Sequence, residues 1–395
     1  MKSVDAHLAE ILATVRPLAP LELELEQALG ATLAEDVSSP VPLPPFDNSA
    51  MDGYAVRAED LSAVPVTLPV IDDVAAGSQE LRAVGPGHTV RIMTGAPVPA
   101  GADAVVPVEW TDGGTVSVRI DRRAEPGNAI RRAGEDVQAG EVVLRAGTLI
   151  GAAQLGIIAG VGRRRVWARP RPRVVVISTG AELVEPGGTL SPGQIYDSNS
   201  YTLTAAVREA GAEGYRAGSV GDDPGILLDQ LDTHLVRADA IITSGGVSMG
   251  AYEPVKEALG PLGTVRFEKV AMQPGMPQGF GVLGEDQVPI FALPGNPVSS
   301  FVSFMLFVRP ALDKMRGLPE GIPETVKART ATSLRSPFGR RSYLRGVLAG
   351  DGTVSPAQRQ GSHQLAALAS ANALIVVPEE VTEVESGASV EVIRL

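Results

Sequence analysis

The spacing of apolar positions changes several times along the chain, and each change marks a different kind of element. Between residues 4 and 18, Val4, Leu8, Ile11, Leu12, Val15 and Leu18 fall on one stripe of a 3.6-residue helix, which predicts an amphipathic helix ending near Pro17. The next stretch, VSSPVPLPPFDNSAMDG (37–53), is dense in prolines that forbid helix and in Asp, Asn and Gly that favour tight turns, so it reads as a long ordered loop. From about 54 to 145 the period shortens. VPVTLPVI, HTVRIM, ADAVVPV and the alternating Val116, Val118 and Ile120 after a TDGGT turn predict short strands. LIGAAQLGIIAGVG then predicts a short apolar helix, and RRRVWARPRPRV a linker stiffened by Pro170 and Pro172.

From 173 to about 316 strands and helices alternate. RVVVIS, GYRAGSV, ADAIITS, VRFEKVA and VPIFALPG read as strands. SNSYTLTAAVREAG, PGILLDQLDTHL, YEPVKEAL and a segment from Pro297 to about Met315 read as helices. Near-continuously apolar strands in such an alternation predict a parallel sheet covered on both faces, with ligands beyond the carboxyl ends of the strands. After Ile322 short strands return around a GDGT turn and end in SVEVIRL, which predicts a small barrel-like β-domain. The chain is therefore expected to be α/β plus β and multidomain. An extended N-terminal and linker region takes 1–53 with 141–170, a β-rich domain 54–140, an α/β domain with a parallel sheet 171–320, and a C-terminal β-domain 321–395.

Composition narrows the classes of function. A length of 395 residues exceeds what one core supports, and 44% hydrophobic with 20% charged residues is the balance of folded domains. No long uninterrupted apolar run occurs, and Asp5, His7 and Glu10 stand where a signal peptide needs its apolar segment, so a cytoplasmic protein with no membrane span is expected. The chain has no cysteine, which excludes disulfides and thiolate metal sites. A net charge of −12 disfavours nucleic acid and anionic membranes as partners, so any anionic ligand must be held locally.

Candidate chemistry gathers in turns. The strand at Ile241–Ser244 breaks into Gly245 and Gly246 before Ser248, a pattern that serves equally for an anion-binding turn and for an ordinary strand-to-helix connection. Thr179 and Gly180 precede Glu182, which no capping role explains, whereas one of Asp197, Ser198 and Asn199 is expected as a helix cap. Asp222 and Asp223 precede Pro224 and suit either a cap or a site. These loops open on one sheet edge, where their carboxylates can converge on Mg²⁺. Asp47, Asp52 and Asp136 sit in PFDNSAMDG and RRAGEDV, and Thr94 in RIMTGAPVP, each compatible with turn chemistry alone. Arg345 and Ser362-His363 read as a polar strand face. His7, His88, His234 and His363 lack metal-ligand spacing.

Taken in order, PPFDNSAMDGYAVR, VRIMTGAPVPAGADAVV, RRAGEDV, ISTGAEL, GQIYDSNSY, GDDP, SGGVSMG, LPGNPVS and QGSHQLAALASANALIVVP resemble the molybdopterin molybdenumtransferase family known as MoeA, related to the E domain of gephyrin. The resemblance spans nearly the whole chain. It implies an enzyme that inserts molybdenum from molybdate into adenylylated molybdopterin and releases AMP. It implies a homodimer whose active cleft lies between the α/β molybdopterin-binding domain of one subunit and the DNSAMDG region of the other. Carried over by motif, Thr179, Gly180, Asp222, Ser244, Gly245, Gly246, Ser248, Glu253, Pro294 and Asn296 form the pterin-nucleotide neighbourhood, and Glu182 and Asp222 that of Mg²⁺. Asp52, Thr94 and Asp136 act with Glu182 in catalysis. Gln273, Pro277, Arg345 and Ser362 surround molybdate. A molybdopterin adenylyltransferase and apo-molybdoenzymes are the implied partners.

The chain departs from the family at Gln273-Pro274-Gly275-Met276-Pro277, where many relatives read KPGKP and so carry two more cations. Glu253 stands where Asp is frequent after GGVSMG, and Ala181 where Asp is frequent in ISTGAEL. The altered loop keeps open a non-catalytic pterin-binding scaffold. Adenylylation by the α/β domain alone is a second alternative, which the first-half motifs oppose, and tungstate matches molybdate in size and charge.

Overall fold

The computed structural model describes residues 1–79, 81–247, 253–319, 321 and 323–395. The chain divides into two compact units, one of Leu23–Leu29 and Glu35–Val166, the other of Met1–Glu22, Gly30–Ala34 and Trp167–Leu395.

The larger unit is built on a six-stranded sheet in the order Glu213–Val220, Arg173–Thr179, Ala240–Ser244, Val288–Leu293, Pro277–Leu283, Val265–Lys269. The first four strands are parallel, as the alternating text predicts, but the last two pair antiparallel, so the sheet is mixed. The strand Pro277–Leu283 escapes the hydrophobic pattern because Gly279 and Gly281 read as breakers. Their missing side chains are what the pairing requires: a Cβ on Gly279 would lie 2.7 Å from the Phe267 ring, and one on Gly281 2.2 Å from the Thr264 carbonyl oxygen. Alternate residues of the central strands feed two cores. Val174, Val176, Ile242 and Phe291 pack under the helix Asn199–Glu209 and the segment Pro297–Met315, while Val175, Ile177, Ile241 and Ile290 pack under Pro224–Leu235 and Pro254–Leu259. The segment Pro297–Met315 is helical throughout but widens to a π-helix over Phe304–Val308.

The opening helix is Val4–Thr14, capped by Ser3, whose hydroxyl accepts from the Ala6 amide at 3.1 Å. It stops short of Pro17 because Val15 is already extended. Its buried face, Val4, His7, Leu8 and Ile11, joins the first of the two cores. Its outer face is tied to the C-terminal domain, where Arg341 donates to both carboxylate oxygens of Asp5 at 2.8 Å and pairs with Glu379 at 3.0 Å. That domain is a closed barrel of five strands, Arg341–Leu348, Thr353–Pro356, Thr325–Thr330, Ser389–Arg394 and Ala373–Val377, shut by pairing of the first with the last. The segment read as a linker contains a strand instead, Arg165–Arg169, which pairs with Thr32–Leu33. Val166 and Ala168 are buried and Arg165 and Trp167 exposed, a period of two that the cluster of arginines and prolines obscured.

The smaller unit contains a five-stranded sheet in the order Ala104–Pro107, Gly53–Val56, Thr89–Ile92, Val66–Val74, Ser117–Ile120. The proline-rich stretch before it is more ordered than a loop, since Val37–Ser38 pairs with Val142–Leu144 and Asn48–Ser49 with Ile130–Arg131. Two equivalent clamps fix these short ladders. Asp36 accepts from the Ala146 amide at 2.8 Å and from Arg145 at 2.9 Å; Asp47 accepts from the Ala133 amide at 2.8 Å and from Arg132 at 2.6 Å.

His7 makes the fold sensitive to acid. It is only 4% exposed, with its ring edge-on to Phe307 at 4.8 Å, and burial together with the nearby Lys2 pushes its pKa down to about 4 against the pull of Glu268 and Glu10. The unfolded chain then binds a proton that the native state refuses, so stability is complete above the ordinary histidine value and falls as pH drops from 6.5 towards 4. A loss on the order of 2–3 kcal/mol over that window is expected in urea unfolding, and His7→Leu should remove most of the slope.

Candidate active site

The carboxyl ends of the four parallel strands converge on a cavity of about 770 Å³. Thr179, Gly180 and Glu182 enter it from the end of Arg173–Thr179, Asp222 from the end of Glu213–Val220, Ser244, Gly245 and Gly246 from Ala240–Ser244, and Pro294 and Asn296 from Val288–Leu293. Glu253 and Pro277 complete the set of expected residues that line it. Ser248 lies outside the described residues.

The glycines of this wall are needed for close approach. Gly245 has φ +102°, and a Cβ there would sit 2.4 Å from the Thr179 carbonyl oxygen. Gly295 packs with its Cβ position 3.4 Å from the Gly245 α-carbon. Asn199 bolts the two turns together, its amide donating to the Ser244 hydroxyl at 2.8 Å and to the Gly295 carbonyl at 2.6 Å. The sequence text offered Asn199 only as a possible helix cap; its role becomes visible when the strand ends are adjacent. The capping expectation falls on Asp197, 1% exposed, which accepts from the Ser200 amide at 3.1 Å and the Ser178 hydroxyl at 2.9 Å. Asp222 and Asp223 likewise divide. Asp223 caps Pro224–Leu235 by accepting from the Gly225 amide at 2.8 Å, leaving Asp222 to the cavity.

Glu182 folds back over Gly180, whose Cβ position is 2.4 Å from a Glu182 carboxylate oxygen, so this glycine makes room for the acid that follows it. Among the described residues no group of three acidic or histidine side chains is close enough to form a complete metal cage. Tyr196, Ser198 and His363 line the cavity without having been assigned to it from motif spacing. The first of two tyrosines in GQIYDSNSY and a lone histidine in QGSH carry no signal until the fold places them.

The expected molybdate residues do not all open into this space. Of Gln273, Pro277, Arg345 and Ser362, only Pro277 lines the cavity, although Ser362 accepts from the amide of the cavity residue Asn296 at 3.1 Å. The loop bearing Gln273 and Gly275 is braced from beneath by Gln278, 2% exposed, whose amide donates to the Ser303 hydroxyl at 2.6 Å. Arg345 is 1% exposed; it donates to the Arg359 carbonyl at 2.7 Å, and its Nε has no partner among the described residues.

In the smaller unit Asp52 and Thr94 meet. One Asp52 carboxylate oxygen accepts from both the amide and the hydroxyl of Thr94, each at 2.7 Å, and these bonds, the amide first, hold the carboxyl below the usual carboxylate range. Gly53 follows because a Cβ there would lie 2.0 Å from the Val106 carbonyl oxygen. Asp136 is exposed, its amide bonded to the Leu43 carbonyl at 3.0 Å.

Comparison with known proteins agrees with this architecture. Residues 2–162 match the MoeA N-terminal region (domain I and II), 175–314 a probable molybdopterin binding domain, and 327–395 the MoeA C-terminal region (domain IV). These matches define the class, a transferase of molybdenum cofactor biosynthesis. Molybdopterin molybdenumtransferase 2 of Mycobacterium tuberculosis is 49% identical over 81% of this chain and 80% of its own, and the molybdopterin molybdenumtransferase of a Nostoc species is 40% identical over 82% and 76%. A solved molybdopterin biosynthesis MoeA protein from Pyrococcus horikoshii superposes with a TM-score of 0.80 at 34% identity, covering 99% of this chain and 98% of that one. The chain belongs to the MoeA family of molybdopterin molybdenumtransferases, enzymes that insert molybdenum during cofactor biosynthesis. The scaffold and adenylyltransferase alternatives are not favoured. Among the described residues no helix is long and apolar enough to cross a membrane.

The close contact at Gly245 predicts a selective defect. Gly245→Ala, strained by φ and by the Thr179 carbonyl, should lower stability by about 1–3 kcal/mol, whereas Gly260→Ala, with open space around it, should leave it unchanged. Thermal unfolding of the two variants checks this.

Proposed function

We propose that the cavity holds adenylylated molybdopterin with Mg²⁺ and that molybdate enters beside the Gln273–Pro277 loop, giving the molybdenum-loaded cofactor and AMP. The observation that carries this reading is the charge of the wall. Glu182, Asp197, Asp222 and Glu253 line the cavity, and among the described residues it has no lysine or arginine. A pyrophosphate anion in such a wall requires a divalent cation, and Mg²⁺ characteristically uses one or two carboxylates while keeping water and phosphate oxygens for its remaining positions. Glu182 and Asp222, both exposed in the cavity, fit that demand without a three-carboxylate cage. Bound there, Mg²⁺ would supply neutralisation of the charge that develops as the phosphoanhydride opens.

The reaction requires the substrate's dithiolene sulfurs to replace oxide on molybdenum, the oxide to take up protons and leave as water, and water to cleave the phosphoanhydride to AMP. Asp52, held ionised by Thr94, suits stabilisation of positive charge better than proton uptake at neutral pH. Arg345 brings a buried guanidinium whose Nε lacks a partner among the described residues, the kind of group that an oxyanion such as molybdate satisfies. Every described lining residue of the cavity belongs to the larger unit. That is compatible with a homodimer in which Asp52, Thr94 and Asp136 of one subunit face the cavity of its partner. An adenylyltransferase that supplies the substrate and apo-enzymes that receive the product are the partners this chemistry calls for, in the cytoplasm where such enzymes are made.

The purified protein, given adenylylated pterin, Mg²⁺ and molybdate, should release AMP in a molybdate-dependent manner. Asp52→Ala and Glu182→Ala should each slow release by on the order of 100-fold or more, and chelation of Mg²⁺ should abolish it. Tight pterin binding with no AMP release would overturn the insertase reading in favour of a scaffold.

A further inference from the structure

Three of the four histidines have a structural place. His7 packs against Phe307, His234 is 7% exposed with its Nδ1 3.0 Å from Arg237, and the Nδ1 of His88 lies 3.0 Å or closer to the carbonyl of its own turn, at 2.9 Å from Pro86. His363 has none of these. Its ring is exposed, and among the described residues it makes no hydrogen bond and is the one basic side chain lining a wall that otherwise carries carboxylates.

Its backbone, by contrast, is anchored through its neighbours. The preceding Ser362 accepts from the Val298 amide through its carbonyl and from Asn296 through its hydroxyl, both at 3.1 Å, which docks the barrel loop onto the turn after Val288–Leu293. Gln364 accepts from the Gly361 amide at 2.7 Å, and the Leu365 amide donates to the His363 carbonyl at 3.1 Å. Gly361 sets the ring: a Cβ there would come within 3.0 Å of His363 Cε1, so the imidazole rests against a bare α-carbon. The result is a donor on an anchored backbone that, among the described residues, has no hydrogen-bond partner.

We propose that His363 is a substrate-binding residue that donates an imidazole N–H to an anionic oxygen in the cavity, a direct donor in a wall that otherwise presents carboxylates. The ligand class is a tetrahedral oxyanion, either the phosphate of the nucleotide or molybdate. The assignment rests on the function proposed above.

Calorimetric titration of the full chain with AMP and Mg²⁺, and separately with molybdate, tests it in wild type, His363→Ala and His363→Lys, with thermal unfolding to confirm that each variant is folded. His363→Ala should weaken one ligand on the order of tenfold, as expected for one charge-assisted hydrogen bond, and His363→Lys should restore it. Loss on the AMP arm places His363 at the nucleotide phosphate; loss on the molybdate arm places it at the metal oxyanion. Unchanged affinity for both in His363→Ala, or no recovery in His363→Lys, overturns the proposal, and does so without touching the insertase reading if the wild type still releases AMP. A wild type that releases no AMP yet binds it in a His363-dependent way would instead sink the insertase reading and keep the anion contact.

Discussion

The architecture of the site depends on a close approach of backbone to backbone. Where Arg173–Thr179 and Ala240–Ser244 end, Gly245 lies so near the Thr179 carbonyl that no side chain fits between them, and Gly295 closes in from the next strand. The Asn199 amide ties the turns into one surface, and bonds from the Ser244 hydroxyl to the Pro294 carbonyl and from the Gly245 amide to the Leu293 carbonyl add to it. Because these positions carry no side chains, the space above the strand ends stays free, and the residues that do project into it, Glu182 and Asp222, come from the turns around the glycines. The apolar packing below matters to function mainly through this edge: Val174 to Ile177 and Ile241 and Ile242 hold the strands in register, and register decides which residues reach the rim.

Electrostatically the molecule separates its charges. The cavity wall is acidic, and its neutral donors and His363 are the groups that can meet an anion directly. The guanidinium best suited to an oxyanion, Arg345, is buried beneath the 357–361 segment. Many arginines elsewhere in the structure pair with carboxylates at the surface, such as Arg173 with Asp239 at 2.9 Å, where they contribute little to stability. The abundance of arginine in the composition thus says little about the site.

Much of this was legible in the chain because both the helices and the parallel strands follow their periods closely. What the text hid, it hid for identifiable reasons. Glycine marks a turn in most contexts, so Pro277–Leu283 was invisible as a strand although Gly279 and Gly281 are there because neighbouring chains touch them. Arginines and prolines around Val166 and Ala168 masked a strand as a linker. Adjacent acids such as Asp222 and Asp223 are equivalent in sequence and separate only when one finds amides to accept from. Asn199 and His363 depend on contacts between segments far apart in the chain, which no local pattern encodes.

The twin clamps of Asp36 and Asp47 show one solution used twice, once at each of the two short ladders that join residues 37–49 to residues 130–144. Each carboxylate reads a turn of the form Arg-Ala-Gly through one amide and one guanidinium, and each is held ionised chiefly by that amide. A ribbon built from such rungs can be lengthened or shortened by whole rungs without changing its cross-section. Because Asp47 opens the DNSAMDG segment, the second rung also fixes where that segment leaves the ribbon.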